Sequence, residues 1–128
     1  MELAEIRQNI INWIAALRSG EYKQGRISLK TEDRYCCLGV AAEIGGYLNT
    51  SHEYEAYNQN LRVYGLADVH GVFYDSKGAC GSIAHRRLTS LNDNMKFTFK
   101  QIADVIESNP DGLFRKDVAA YLKENPLS

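Results

Sequence analysis

Apolar residues recur at two different spacings along this chain, and a third stretch is apolar with no spacing at all. Leu3, Ile6, Ile10, Trp13, Ile14 and Leu17 fall three and four residues apart. That period predicts an amphipathic helix over 2–18, closed by Ser19-Gly20. Ile27 and Leu29 alternate with Ser28 and Lys30, which is strand period, so 25–36 reads as a hairpin turning at Thr31-Glu32-Asp33. Tyr35 to Ala42 carries no charged side chain. A helix apolar on all sides has no face for water, so a helix at about 37–45 is expected in the middle of the fold, ended by Gly45 and Gly46. Gly39 removes a side chain where a neighbouring helix can approach.

The remaining segments read as cover for that helix. Residues 47–69 are polar and tyrosine-rich without a sustained period. They predict a long loop with a helical turn near Leu61–Ala67, of the kind that is functional or mobile in small domains. Val72-Phe73-Tyr74 predicts a short strand. A helix is then expected from about Ile83 to Leu91, with Ser82 as N-cap. Thr98 and Gln101 form a capping-box pattern, and Phe97 before the cap can staple onto Ile102. Phe99, Ile102, Ala103 and Ile106 continue that helix to Ser108. Asn109-Pro110-Asp111-Gly112 breaks the chain before a last helix over 113–124. The expectation is one α+β domain spanning 1–128. It has four to five helices packed around the central helix, and a small antiparallel hairpin or sheet from 25–36 and 71–75.

Composition narrows the function classes. The chain has 128 residues, 45% hydrophobic and 24% charged, with a net charge of −1. That is an ordinary globular balance, with no global basic field to hold nucleic acid or an anionic membrane. No apolar run approaches the roughly 20 residues of a membrane span. The first five residues lack the basic-then-apolar order of a signal peptide. Three cysteines, two of them adjacent, make a poor disulfide framework. The expectation is a reduced cytoplasmic protein with packed thiols, no membrane contact and no cofactor. Cys36, Cys37, Cys80, His52, His70 and His85 lack the spacing of a metal site, and none is expected.

Four stretches could carry chemistry. Cys36 or Cys37 at a helix start would feel amide N–H groups, which favour thiolate, with His70 or His85 as base; small packing residues are the plainer account of both cysteines. Lys77-Gly78-Ala79-Cys80-Gly81-Ser82 before a helix could cradle an anion with Lys77 and Arg86, though a glycine turn before a capped helix is the plainer account. Phe97 to Asp104 has the look of the first helix of a helix-turn-helix, yet residues 93–128 carry five basic against six acidic side chains, which disfavours DNA readout. Lys23, Arg26, Lys30 and Arg34 make 21–35 the most basic segment.

Two resemblances add to this reading. Cys36-Cys37 at the head of a core helix and Val69-His70-Gly71-Val72-Phe73-Tyr74 resemble the cysteine hydrolases of NlpC/P60 type. That likeness implies a Cys36 or Cys37 nucleophile and a His70 base. Three blocks in order resemble small phage and prophage proteins of uncharacterised function: Trp13 with Leu17-Arg18-Ser19-Gly20 and Tyr22-Lys23-Gln24-Gly25; Tyr35-Cys36-Cys37-Leu38-Gly39-Val40; and Leu91-Asn92-Asp93 with Phe99, Ile102-Ala103-Asp104 and Ile106-Glu107. The likeness implies a phage-derived source and a shared core, not a reaction.

The leading expectation is therefore a phage-encoded, non-catalytic binding protein in the host cytoplasm. It would inhibit a host defence system by binding a host protein or by sequestering a small phosphorylated or nucleotide ligand. A second copy of the chain is a further admissible partner. The alternatives are a thiol hydrolase and, third, a helix-turn-helix nucleic-acid binder. The polar loop residues Tyr22, Lys23, Gln24, Arg26, Asn92 and Asp93, with Lys77 and Arg86, are the candidate ligand contacts, because core packing does not require polar residues there. The competing account is that Asn92 and Asp93 only close a turn.

Overall fold

A computed structural model describes residues 1–49, 52–75 and 84–128. The fold is α+β, and the elements follow the periodicities closely at both ends of the chain. Helix α1 spans Leu3–Ser19 and buries Ile6, Ile10, Trp13, Ile14 and Leu17. Gly20 closes it at φ 80°. Helix α2, Cys37–Gly45, buries its first six residues, Cys37 to Ala42. Its polar groups are backbone carbonyls, and neighbouring side chains use them. Trp13 Nε1 donates to Cys37 O at 3.0 Å, Asn60 Nδ2 to Leu38 O at 3.2 Å, and the Tyr64 hydroxyl to Ala41 O at 2.5 Å. An apolar helix thus satisfies the polar atoms of the three residues packed on it, which burial would otherwise penalise.

Asn60 and Tyr64 belong to helix α3, Glu53–Tyr64, inside the segment expected to be a long loop. Its fully buried residues are Ala56, Asn60 and Tyr64. They are four apart, which is helical spacing, but one is small and two are polar. No apolar stripe announces the helix, because its inner face meets carbonyls as well as hydrocarbon. The Tyr47 hydroxyl also donates to Asn60 Oδ1.

The hairpin forms as β2, Lys30–Thr31, against β3, Arg34–Tyr35, antiparallel. Strand β1, Lys23–Gln24, adds to β3 in parallel, so the sheet order is β1-β3-β2. Ile27 lies outside the strands. The close neighbour that Gly39 admits is this loop's backbone: a Cβ there would stand 1.8 Å from Leu29 O. Leu29 O accepts Cys36 N at 3.1 Å, and Leu29 itself is buried.

Residues 71–75 do not join that sheet. Strand β4, Val72–Asp75, pairs antiparallel with β5, Ala84–Arg87, as a separate two-stranded sheet. Residues 84–87, expected to be helical, are therefore a strand. The ladder runs on through Leu88 N to Gly71 O at 3.0 Å, and helix α4 is only Leu88–Asp93. The tertiary partner, Val72–Asp75, overrides local helical spacing here. Ser82 and Ile83 lie outside the described residues.

Helix α5, Phe99–Glu107, starts at the complete capping box of Thr98 and Gln101. It packs on α1, where Arg18 reaches Asp104 at 2.7 Å and Glu107 at 2.9 Å. Helix α6 is Lys116–Glu124. Leu113 and Phe114, expected at its start, precede it as buried residues, held by Ala67 N to Leu113 O and Arg115 N to Gly65 O. The described residues thus hold six helices.

Candidate functional site

Residues 22–30 and the end of α4 meet, as the sequence suggested, but most of their polar atoms face each other. Asn92 is 0% exposed. Its Oδ1 accepts Gln24 Nε2 at 3.0 Å, and its Nδ2 donates to Gly25 O and Asp93 Oδ1, both at 2.8 Å. Gln24 Nε2 also donates to Phe97 O at 2.7 Å. Asp93 Oδ1 accepts the Ile27 N–H at 2.9 Å. A second carboxylate, Glu53 at the start of α3, accepts the Leu29 N–H at 3.1 Å. Five hydrogen bonds therefore pin one loop to Asn92 and Asp93 of α4, to Phe97 O and to Glu53 of α3. Gln24 and Asn92 serve that latch.

What the latch presents outward differs from a nucleotide cradle. Ile27 is 82% exposed and sits at φ 75°. The non-glycine residues at positive φ among the described ones are Ile27, Glu32, Lys96 and Asn109; only Ile27 is β-branched. A β-branched residue there costs about 1–2 kcal/mol through Cβ crowding. Arg26 and Lys30 beside it are exposed. Lys30 Nζ lies 5.2 Å from the Tyr35 ring centre, and Tyr22 packs edge-on to Tyr35 at 5.4 Å. Burial pushes the Tyr22 hydroxyl pKa up. Lys23 pairs with Asp33 at 2.9 Å and holds that carboxylate below its usual range. Two further exposed apolar side chains flank the same latch in sequence: Tyr54, next to Glu53, and Met95, two residues after Asp93.

The thiols are placed for packing. Cys36 is the N-cap of α2, and its Sγ accepts the Gly39 N–H at 3.3 Å. That bond favours thiolate, but burial outweighs it and pushes the Cys36 pKa up to about 11. Cys37 is 0% exposed; its thiol faces Leu88 O at 3.8 Å, and burial pushes it well up too. Both are neutral thiols at physiological pH. His70 is exposed at the end of the turn before β4, its ring 5.6 Å from the Tyr57 ring. Among the described residues no hydrogen bond joins it to either cysteine. Lys77 and the glycine-rich stretch 77–82 lie outside the described residues. Arg86 is on β5, half-buried, with Nη1 3.5 Å from Met95 Sδ.

Ile27 and Glu53 are site residues that the sequence does not mark. In sequence, Ile27 looks like one half of a strand alternation, and Glu53 is one acid in a polar stretch; neither carries a local signal of its contact. Residues 4–72 match a family described as a domain of unknown function (DUF8296). The match contains the loop, α2 and α3, and ends before α4 and Phe97, which supply the other half of the latch. No curated protein and no solved structure matches the chain.

Proposed function

The chain belongs to the DUF8296 family, and from that premise we propose that it is a non-catalytic binding protein whose working surface is the 22–30 loop. The observation that carries this reading is Ile27. A β-branched residue is held in a conformation that glycine would adopt without strain, with its side chain in water. Its placement by Asp93 adds nothing to the buried core. Strain that the surroundings over-determine is characteristic of functional positions. The partner is a protein with an apolar socket for Ile27 and carboxylates for Arg26 and Lys30. The resemblance of the three sequence blocks to phage and prophage proteins makes a host protein in the bacterial cytoplasm the natural target, and inhibition of a host defence system the natural outcome.

The test uses Ile27→Asp and the pair Arg26→Glu, Lys30→Glu, all exposed sites where folding is spared. A photo-crosslinker at position 26 identifies the partner in expressing cells, and the purified partner is then titrated against each variant. Both variants should melt like the parent chain and lose at least about tenfold in affinity. Full affinity in Ile27→Asp overturns the reading.

A further inference from the structure

The ends of α2 and α3 meet the side of α1 around a cleft of about 190 Å³, lined among the described residues by Asn9, Asn12, Ile44, Gly45, Val63 and Tyr64. Helices α2 and α3 run in the same direction: their contacts advance together along both, from Asn60 on Leu38 O to Tyr64 on Ala41 O. Their C-terminal ends therefore arrive on one side of the fold. Each is closed by a glycine at positive φ, Gly46 at 83° and Gly65 at 64°, so no side chain of the cap covers it. A helix ends in carbonyls that lack an intrahelical donor and carries about half a negative charge there. The bonds that close α2 reach Ala42 O and Glu43 O. Gly45 lies further along and lines the cleft with backbone alone. Both amide hydrogens of Asn9 are engaged, on Val63 O at 3.0 Å and on Met1 Sδ at 3.5 Å. That fixes the amide, and Oδ1 is the atom it has to offer. Asn12 Oδ1 accepts Gln8 Nε2 at 3.0 Å and keeps a second lone pair. Half-buried Ile44 and Val63 form apolar walls over buried Tyr64.

We infer that this cleft binds a primary ammonium group carried on a short aliphatic chain. An ammonium has three donors and no acceptor, which suits carbonyl and amide oxygens. The C-terminal ends of two helices favour a positive charge between them. The methylenes of the chain lie along Ile44 and Val63, as the stem of a lysine lies along apolar surface. A bare metal cation would leave those walls unused, and an uncharged alcohol would leave the helix ends unused. A free alkylamine and a lysine side chain share this chemistry, and the test separates them. This inference does not depend on the loop surface.

Pentylammonium chloride is the probe, followed by titration calorimetry and by amide NMR shifts, with pentanol and potassium chloride as companions. Saturable binding of the ammonium is expected, with shifts centred on residues 9–12, 44–46 and 63–65. Pentanol should not saturate, and potassium at equal concentration should not displace the ammonium. Nα-acetyl-lysine amide carries the same group on a peptide: tighter binding than pentylammonium assigns the source to a lysine side chain, weaker binding to a free amine. Asn12 is exposed, so opposite charges can be placed there without disturbing the core. Asn12→Lys should weaken binding about tenfold, and Asn12→Asp should tighten it about threefold. Asn9→Ala, checked for folding by its melting curve, should weaken binding about tenfold. Arg26→Gln on the loop surface should leave the affinity unchanged. Failure of the ammonium to saturate, equal binding of pentanol, displacement by potassium, or full affinity in Asn12→Lys overturns the inference.

Discussion

Two regions of this protein use the same bond, a side-chain amide, indole or hydroxyl donating to a backbone carbonyl, for opposite ends. Around α2 the donors Trp13, Asn60 and Tyr64 are all buried, and each bond accompanies a large buried side chain. At the latch, Gln24 and Asn92 donate to Phe97 O and Gly25 O, and the segment they fix carries an exposed, strained Ile27. In the first region, hydrogen bonds make burial affordable by satisfying what burial desolvates. In the second, they hold a conformation whose cost is not recovered by packing. Stability selects the first arrangement directly; the second is intelligible as display.

The comparison can be broken most strongly at Trp13. Trp13→Ala removes a side chain that is 0% exposed and leaves a cavity between α1 and α2, at a cost of about 3–5 kcal/mol in urea unfolding. Loss of less than about 1 kcal/mol would show that α2 is not the centre of the fold. On the latch side, Asn92→Ala removes the side-chain donor to Gly25 O and one of the two acceptors of Gln24 Nε2, and should cost about 2 kcal/mol. It should also speed hydrogen exchange at Ile27 and Leu29 while leaving α2 protected; equal loosening of both regions would merge them into one unit.

The pH dependence sharpens the core half. In the unfolded chain Cys36 ionises near 9.0, whereas in the fold burial raises it to about 11. A raised value means that stability is fully present below pH 9 and declines as pH rises from there towards 11. The decline from this thiol is about 3 kcal/mol. In a Cys80→Ser background, a disulfide-exchange reagent should react slowly with the native protein at neutral pH and rapidly once it is unfolded. Fast native labelling at neutral pH would instead give the thiol nucleophile a place.

The smallest effect is the most diagnostic. Ile27→Gly relieves about 1–2 kcal/mol of strain and returns about 0.5–1 kcal/mol as chain entropy. Thermal unfolding should therefore show unchanged stability or a gain of up to about 1 kcal/mol. A loss of 2 kcal/mol or more would mean that Ile27 packs, and that the two regions are not different in kind.

The elements readable from the sequence are those whose cause is local or apolar. Helix α1 has a regular stripe, α2 has unbroken hydrocarbon closed by glycine, and α5 has its capping box; each appears within a residue or two of its expected bounds. The juxtaposition of Gln24 and Arg26 with Asn92 and Asp93 was also readable, as polar loop residues with no packing role of their own. What those residues do there was not. The same letters suit a ligand cradle and an internal latch, and only the positions of Gly25 O, Phe97 O and the Ile27 N–H distinguish them.

Amino-acid order alone thus determined the helical scaffold and its centre, because hydrophobic periodicity and end caps act within a few residues. Tertiary structure alone decided the rest. Helix α3 exists because Ala56, Asn60 and Tyr64 find the side and carbonyls of α2. Residues 84–87 are a strand because Val72–Asp75 lies alongside. Ile27 is turned outward because Asp93, 66 residues away in the chain, holds its N–H. In each case the deciding partner is remote in sequence, so its contribution appears only once the chain has closed on itself.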